Sequence, residues 1–214
     1  MIYNNQHIFL MPPKTASNSI KEMLRMSGVN LTPPKKQTVP HIHLKLSEIK
    51  DQYELENFGQ YKIIQVVRNP YERMVSSYFH YLRLAPNSKH SELTFQKFLE
   101  VVLECYNSSN FLNCFYDDLE FINNSINSKI HWGGSRLFNS QSSWNDLIFN
   151  LTYFKLEDLG VSTSLISEFM GVSLCNLSRI NQNNSTSDYS HLLSPINKSL
   201  IQKIFFEDFE RFSY

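Results

Sequence analysis

Short apolar runs alternate with amphipathic stretches along this chain. Residues 7–11 are mainly apolar and stop at two prolines, which predicts a short buried strand. The clearest strand pattern covers 61–67, and a third covers 148–156. Helical patterns separate these strands. This alternation favours an α/β fold with a central, mainly parallel sheet.

Local signals place the helices. Ser19 and Glu22 fit a capping box at the start of the first helix, and Gly28 closes it. Asn69 and Pro70 are residue types preferred at the N-cap and at the first helical position, so a helix begins there. The spacing of apolar residues predicts further helices over 45–56, 94–106, 162–170 and 195–206.

Composition limits the classes of function. The 214 residues carry 20 basic and 20 acidic side chains, so the net charge is zero. Nucleic-acid-binding domains usually have a pI above about 9, so we expect no nucleic-acid partner, although a local anion site stays possible. A chain of this length can build one core, and we predict a single domain over residues 1–214.

The sequence also bears on the cellular location. No apolar run is long enough for a membrane span or a signal peptide, so we expect a cytoplasmic protein. Cys105, Cys114 and Cys175 are scattered and form no CxxC pair. This spacing indicates neither a zinc site nor a disulfide framework, and we expect three thiols.

The first candidate site covers residues 13–19, between the first strand and the first helix. Free backbone N–H groups and the positive end of a helix dipole make such a turn suited to anions. Lys14 adds a full positive charge, and Ser17, Asn18 and Ser19 add side-chain donors. The Walker A pattern GxxxxGK[ST] is absent. The alternative is an ordinary strand–helix turn.

The second candidate site starts at Arg68, at the carboxyl end of the best strand, where open α/β sheets bind ligands. On the helix that follows, Arg73, Ser76 and His80 share one face, which we expect to be polar. A guanidinium and a hydroxyl could hold a phosphate together. The alternative is a solvated helix face with a structural arginine.

The two sites together resemble motifs of the PAPS-dependent sulfotransferase superfamily, where PAPS is 3′-phosphoadenosine-5′-phosphosulfate. The family's first loop is similar to Pro-Lys-Thr-Gly-Ser-Thr-Ser, whereas this chain has Ala16 in place of the Gly and Asn18 in place of the Thr. Its second motif, Val-Arg-Asn-Pro-x-x-Arg-x-x-Ser-x-Tyr, is matched from Val67 to Tyr78 at every specified position. The ending 208–214 resembles Asp-x-x-x-Phe-Gly-Tyr.

This resemblance, closest to the carbohydrate branch, implies a three-layer, P-loop NTPase-like sulfotransferase fold. It implies transfer of a sulfuryl group from PAPS to a hydroxyl, with a carbohydrate as acceptor and adenosine 3′,5′-bisphosphate (PAP) as product. No metal is expected, because Lys14 and the helix dipole can neutralise charge on the leaving oxygen. The residues expected to bind the donor are Lys14, Thr15, Ala16, Ser17, Asn18 and Ser19 on the 5′ side and Arg68 and Ser76 at the 3′-phosphate.

Two histidines supply the candidate base. His41 and His43 alternate in an extended segment, and a neutral imidazole can take a proton from a hydroxyl near neutral pH. The pair could also bind a metal, but no third ligand is evident. The resembling branch carries a His five residues before a Glu-Ile pair. His43 with Glu48 and Ile49 fits that pattern, so His43 is expected to be the catalytic base.

The acceptor could meet several other residues. His41 could position it, His131 and Trp132 could offer a surface on which a sugar ring stacks, and Glu157 could orient His43 or the acceptor. Each of these residues could instead be structural. Two alternative functions stay open at this point: a nucleotide or sugar kinase, and a non-catalytic module that binds a nucleotide or a glycan.

Overall fold

The structure is a computed structural model. It describes residues 1–33, 35, 43–84, 92–107, 134–147, 149–175 and 189–214. The chain divides into two compact units. Unit 1 contains Met1–Asn69 and Gln141–Thr186, and unit 2 contains Pro70–Ser140 and Ser187–Tyr214. The prediction of one domain over 1–214 stays a prediction.

Strands and helices alternate through the described residues. The strands are β1 (Ile2–Tyr3), β2 (His7–Leu10), β3 (Lys62–Val67) and β4 (Thr152–Lys155). The helices are α1 (Ser17–Met26), α2 (Leu46–Tyr53), α3 (Pro70–Leu84), α4 (Phe95–Asn107), α5 (Gly134–Phe138), α6 (Leu159–Met170), α7 (Pro195–Ile204) and α8 (Phe206–Phe212).

The sheet belongs to unit 1 and has the order β1-β2-β3-β4. β1 is antiparallel to β2, whereas β2, β3 and β4 are parallel. Leu10 pairs with Gln65, and Val67 pairs with Lys155. The predicted α/β class with a mainly parallel sheet is therefore confirmed. The carboxyl ends of β2 and β3 lie at the same edge, which brings the two segments after them together.

One core cluster of unit 1 lies on one face of this sheet. Side chains of a strand alternate between faces, so Phe9, Ile64 and Val66 point the same way. The apolar stripes of α1 and α6, represented by Leu24 and Ile166, pack against them. Burial of these side chains fixes the direction in which α1 leaves the sheet, and thus the position of the loop before it.

Unit 2 is helical in the part that the structure describes, and its core is aromatic. Tyr78 of α3 contacts Phe98 of α4 with ring centroids 4.9 Å apart. Phe98 also contacts Phe138, with ring centroids 5.4 Å apart. Phe205, at the junction of α7 and α8, is fully buried in the same cluster. Edge-to-face contacts of this kind add to the stabilisation that burial already gives.

The cysteines differ from expectation. Cys105 is disulfide-bonded, so the expectation of a thiol at this position is wrong. Cys175 is free, as expected. A disulfide requires two cysteines that are close in space, and their scattered spacing in the sequence did not indicate this. A disulfide is uncommon in a reducing cytoplasm, so this bond does not support the cytoplasmic location, which stays a prediction.

A buried histidine starts β2. His7 is 2% exposed and pairs in register with Lys62 of β3. Burial, and secondarily the positive charge of Lys62, lowers the pKa of His7 from its ordinary 6.5. The unfolded chain therefore binds a proton at pH values where the folded chain does not. We conclude that the fold loses stability as the pH falls through this range.

Replacement of His7 by leucine should weaken this pH dependence. In the wild type, protonation of His7 on unfolding should lower the free energy of unfolding by up to about 1.4 kcal/mol per pH unit below neutrality. Urea unfolding between about pH 5 and pH 7.5 measures the slope. His191→Leu, at an exposed position, is the control and should keep the wild-type slope. An unchanged slope in His7→Leu would contradict the prediction.

Candidate active site

The loop between β2 and α1 is buried at its base. Pro12 and Pro13 are buried, and the fully buried Thr15 donates a hydrogen bond from Oγ1 to the carbonyl oxygen of Pro12 at 2.8 Å. The Thr15 side chain therefore shapes the loop, and its backbone is the part that a ligand could contact. Lys14 is partly buried.

The backbone of this loop has alternating signs of φ. Lys14 has φ 68° and Ala16 has φ 58°, while Thr15 between them is not in the positive-φ region. Alternation of this kind turns successive N–H groups toward one concave side, an arrangement called a nest that binds anions. The loop then enters α1, whose first N–H groups point the same way as its dipole.

α1 begins at Ser17 and not at Ser19, so the predicted capping box is wrong. Its N-cap is Ala16, which makes no side-chain cap hydrogen bond. Glu22 bonds instead to Arg25, with oxygen–nitrogen distances of 2.8 and 2.5 Å. The N-cap position thus lacks the usual capping side chain, and the N-terminus of a helix suits an anion. Ser17 and Ser19 are buried, and Asn18 is exposed.

Ala16 adopts the conformation that a glycine would adopt. Its φ of 58° and ψ of 29° are left-handed, so the exchange of glycine for alanine keeps the loop shape and accepts strain. The same holds near the end of the chain. Ser213 stands at the glycine position of the family's ending and has φ 52°.

Glycine at either position should therefore stabilise the protein. Ala16→Gly and Ser213→Gly should each raise the free energy of unfolding by about 0.5–1 kcal/mol, because relief of left-handed strain exceeds the added entropy of the unfolded chain. Asn18→Gly, at an exposed helical position, is the control and should lower it by about 0.5–1 kcal/mol. Thermal or urea unfolding measures all three, and a loss of stability in Ala16→Gly would contradict the strain.

Arg68 follows directly after β3 at the same edge of the sheet. Its Nη1 lies 3.5 Å from the carbonyl oxygen of Lys14, so the guanidinium reaches the loop. The side-chain amide of Gln141 holds the Arg68 backbone, accepting from its N–H at 2.8 Å and donating to its carbonyl at 2.8 Å. Within unit 1 the structure thus brings Arg68, the arginine of the second motif, to the loop of the first.

Glu157 lies in a short helical turn after β4 and is exposed. Its Oε1 accepts a hydrogen bond from the N–H of Asn69 at 2.7 Å. This contact ties the segment after β3 to the segment after β4. In this structure Glu157 supports the backbone next to Arg68, and its expected contact with an acceptor stays a prediction.

His43 is anchored to the base of the loop. Its Nδ1 lies 2.6 Å from the carbonyl oxygen of Met11, the residue that follows β2. A carbonyl oxygen only accepts, so Nδ1 carries the proton of the neutral ring. Nε2 is then the basic nitrogen. His43 is partly buried and has φ 65°, an uncommon conformation that places its ring against the strand end.

The residues after His43 have structural roles. Glu48 accepts a hydrogen bond from the N–H of Lys45 at 2.7 Å and so caps α2, and Ile49 is fully buried. Asp146 accepts from both the N–H and the hydroxyl of Ser47, at 2.9 and 2.5 Å. The start of α2 is thus fixed at two points, which holds His43 just before it.

The polar face expected on α3 is only partly polar. Arg73 is fully buried in unit 2, so this part of the predicted polar face is not open to solvent. Its guanidinium lies 3.9 Å from the carboxylate of Asp208, donates to the carbonyl of Leu137 at 3.3 Å and stacks on Phe205. Ser76 is partly buried on the same helix.

Three predicted site residues, His41, His131 and Trp132, lie outside the described residues. No group of three or more His, Cys, Asp or Glu side chains that could hold a metal occurs in the part of the chain that the structure describes. The prediction that no metal is needed stays a prediction. Within that same part, no helix is long and apolar enough to cross a membrane.

Sequence reasoning missed Gln141. It follows a stretch that offers no periodic pattern, and a single glutamine carries no chemical signature. Its position beside Arg68 depends on a contact across 73 residues of sequence, which no local rule detects. The motif that begins at Val67 identifies Arg68 as a candidate ligand-binding residue, but it does not show which residue positions the Arg68 backbone.

Comparison with known proteins shows the family of this chain. The model of the sulfotransferase family matches residues 4–214, so the chain belongs to the sulfotransferase family. No curated protein matches the chain. The crystal structure of mouse sulfotransferase SULT7A1 complexed with PAP is similar to this chain at 18% identity and a TM-score of 0.49, covering 95% of this chain and 84% of that chain. The predicted enzyme class, a sulfotransferase, is confirmed.

Proposed function

We propose that this sulfotransferase uses PAPS as its donor, with the 5′ side of the nucleotide at the loop 14–19. The observation that carries the proposal is the loop itself: a backbone nest formed by Lys14 and Ala16, opening onto the uncapped first turn of α1. Backbone N–H groups, a lysine and serine hydroxyls form a donor set that suits phosphate and sulfate oxygens.

Arg68 is proposed to hold the 3′-phosphate. Its guanidinium is planar and can form paired hydrogen bonds to a phosphate, which a lysine cannot. Its position at the carboxyl end of β3, within reach of the loop, supports this role. The motif assigns Ser76 to the same phosphate, and this assignment rests on the resemblance.

His43 is proposed to be the catalytic base. PAPS, when bound, would supply the sulfuryl group. The acceptor hydroxyl would lose its proton to Nε2 of His43 as its oxygen bonds to sulfur, while the bond from sulfur to the bridging phosphate oxygen breaks and PAP leaves. The hydrogen bond from Nδ1 to Met11 keeps Nε2 unprotonated in the neutral ring and holds the ring in place. Lys14 and the nest N–H groups stabilise the negative charge that develops on the leaving oxygen.

A carbohydrate is the proposed acceptor. This choice is supported by His43 with Glu48 and Ile49, whose spacing resembles the carbohydrate branch of the family. The roles of His41, His131, Trp132 and Glu157 toward the acceptor rest on the sequence alone.

Transfer of labelled sulfate from PAPS tests this function. Acceptors should include neutral and uronic-acid glycans, simple phenols and tyrosine peptides, without added metal. Label on the glycans and none on the phenols is the expected result. Label on phenols or tyrosine peptides alone would overturn the carbohydrate acceptor while leaving the donor assignment intact. Phosphate transfer from ATP with Mg²⁺ instead would overturn the donor assignment.

A further inference from the structure

We propose that Gln141 is the positioning residue for Arg68: its side-chain amide fixes the backbone from which the guanidinium reaches the donor. This inference rests on the proposed function. The motifs quoted above do not include Gln141, and its role is inferred from its contacts. It is fully buried, and both ends of its amide bind the backbone of one residue, Arg68.

Gln141 contacts the Arg68 backbone beyond the last paired residues of β2 and β3. The paired register of β2 and β3 ends at Leu10 and Gln65, because β2 then turns into the loop. Backbone groups of successive strand residues point alternately to the two neighbouring strands. The N–H of Asn69 points to Glu157, which follows β4. The backbone groups of Arg68 therefore point the other way, to the side of β3 where β2 would lie if it continued. Gln141 fills this gap in place of a strand.

A second hydrogen bond fixes Gln141 itself. Its backbone carbonyl oxygen accepts a hydrogen bond at 2.7 Å from Nε2 of Gln65, which lies in β3 three residues before Arg68. Gln141 is thus bound to β3 at two points, through its backbone and through its amide. These contacts hold the backbone in place for one residue beyond the end of β3. That residue is Arg68, whose guanidinium reaches the carbonyl of Lys14.

Removal of the amide should therefore reduce donor affinity through Arg68. Gln141→Met keeps the length of the side chain and removes both hydrogen bonds. We expect the affinity for PAP to fall about tenfold, which is the contribution of one well-placed hydrogen bond to a charged group. Calorimetry at a temperature where thermal unfolding shows every variant folded measures this affinity.

Asn145 provides a matched control. It is 2% exposed, and its amide binds the N–H and the carbonyl of Phe149 at 2.9 and 2.5 Å, the same double contact made within its own segment. Asn145→Leu should lower stability and keep the affinity for PAP. Equal losses of PAP affinity in Asn145→Leu and Gln141→Met would show that Gln141 acts only on stability, and would overturn the inference.

A double mutant separates positioning from general damage. If Gln141 acts through Arg68, Gln141→Met should not weaken the residual PAP binding of Arg68→Ala any further, whereas additive losses would contradict the inference. Gln141→Glu is the second variant should Gln141→Met fail to fold, because its carboxylate still accepts from the Arg68 N–H but cannot donate to the carbonyl. It should also lose affinity, and wild-type affinity in it would overturn the inference.

Hydrogen exchange at the Arg68 amide, measured without nucleotide, is the readout independent of the donor. Its protection should fall in Gln141→Met and stay in Asn145→Leu. Wild-type protein that binds no PAP would overturn the proposed function and, with it, the inference. Wild-type protein that binds PAP while both Gln141 variants bind it equally well would overturn the inference alone.

Discussion

Replacement of His43 by alanine is expected to lower kcat for sulfuryl transfer by about 10²–10⁴-fold, the usual contribution of a general base. The hydrogen bond of Nδ1 to the Met11 carbonyl leaves Nε2 as the basic nitrogen beside the loop, and alanine removes it. Affinity for PAP should stay unchanged, because no donor contact is assigned to His43. Initial rates at saturating PAPS, together with calorimetric titration, measure the two quantities.

The acidic limb of the pH–rate profile gives a second readout of His43. It should disappear in His43→Ala if this ring accepts the proton. His191→Ala, at an exposed position in unit 2, is the control and should keep both the rate and the limb. Near wild-type turnover in His43→Ala would remove His43 from the role of base.

Asp208→Ala is expected to lower the free energy of unfolding by about 3–5 kcal/mol. Arg73 and Asp208 are both fully buried, and removal of the carboxylate leaves the guanidinium charged in a nonpolar core without its counterion. Urea or thermal unfolding measures the loss. Since both residues lie in unit 2, the loss reports on that unit.

A double mutant gives the control for this pair. Removal of both charges, in Arg73→Met with Asp208→Ala, should cost less than the sum of the two single losses, because no charge is then left unpaired. Additive losses would show that Arg73 and Asp208 do not depend on each other. Additive losses of unfolding free energy would also contradict the proposal that Asp208 neutralises the charge of Arg73.

The sequence predicted the elements whose pattern is strong. β2, β3 and the start of α3 at Pro70 agree with apolar runs and with the Asn69-Pro70 signal. The predicted strand at 148–156 is shorter in the structure, Thr152–Lys155. The helix predicted over 195–206 ends at Ile204, and after the buried Phe205 a second helix, which was not predicted, covers Phe206–Phe212. Short strands and helix breaks depend on tertiary packing, which periodicity does not contain.

The candidate site was predictable in part. The residue types of the loop and Arg68 are visible in the sequence, and the parallel topology explains why they meet. The start of α1 was wrong because capping rules favour a serine, while the chain uses an alanine in a left-handed conformation. The burial of Arg73 was missed because its counterion, Asp208, lies far from it in the sequence, near the end of the chain. Contacts of this range leave no local signal.

Calorimetric titration with PAP, in parallel with ADP and with ATP plus Mg²⁺, tests the central claim most directly. We predict binding of PAP with a Kd on the order of micromolar, without metal, and about a hundredfold loss in Arg68→Ala. Asn145→Leu, which disrupts a buried amide contact outside the site, should bind as the wild type does. Absence of PAP binding, or tighter binding of ATP with Mg²⁺, would contradict the assignment of the loop and Arg68 to a sulfuryl donor.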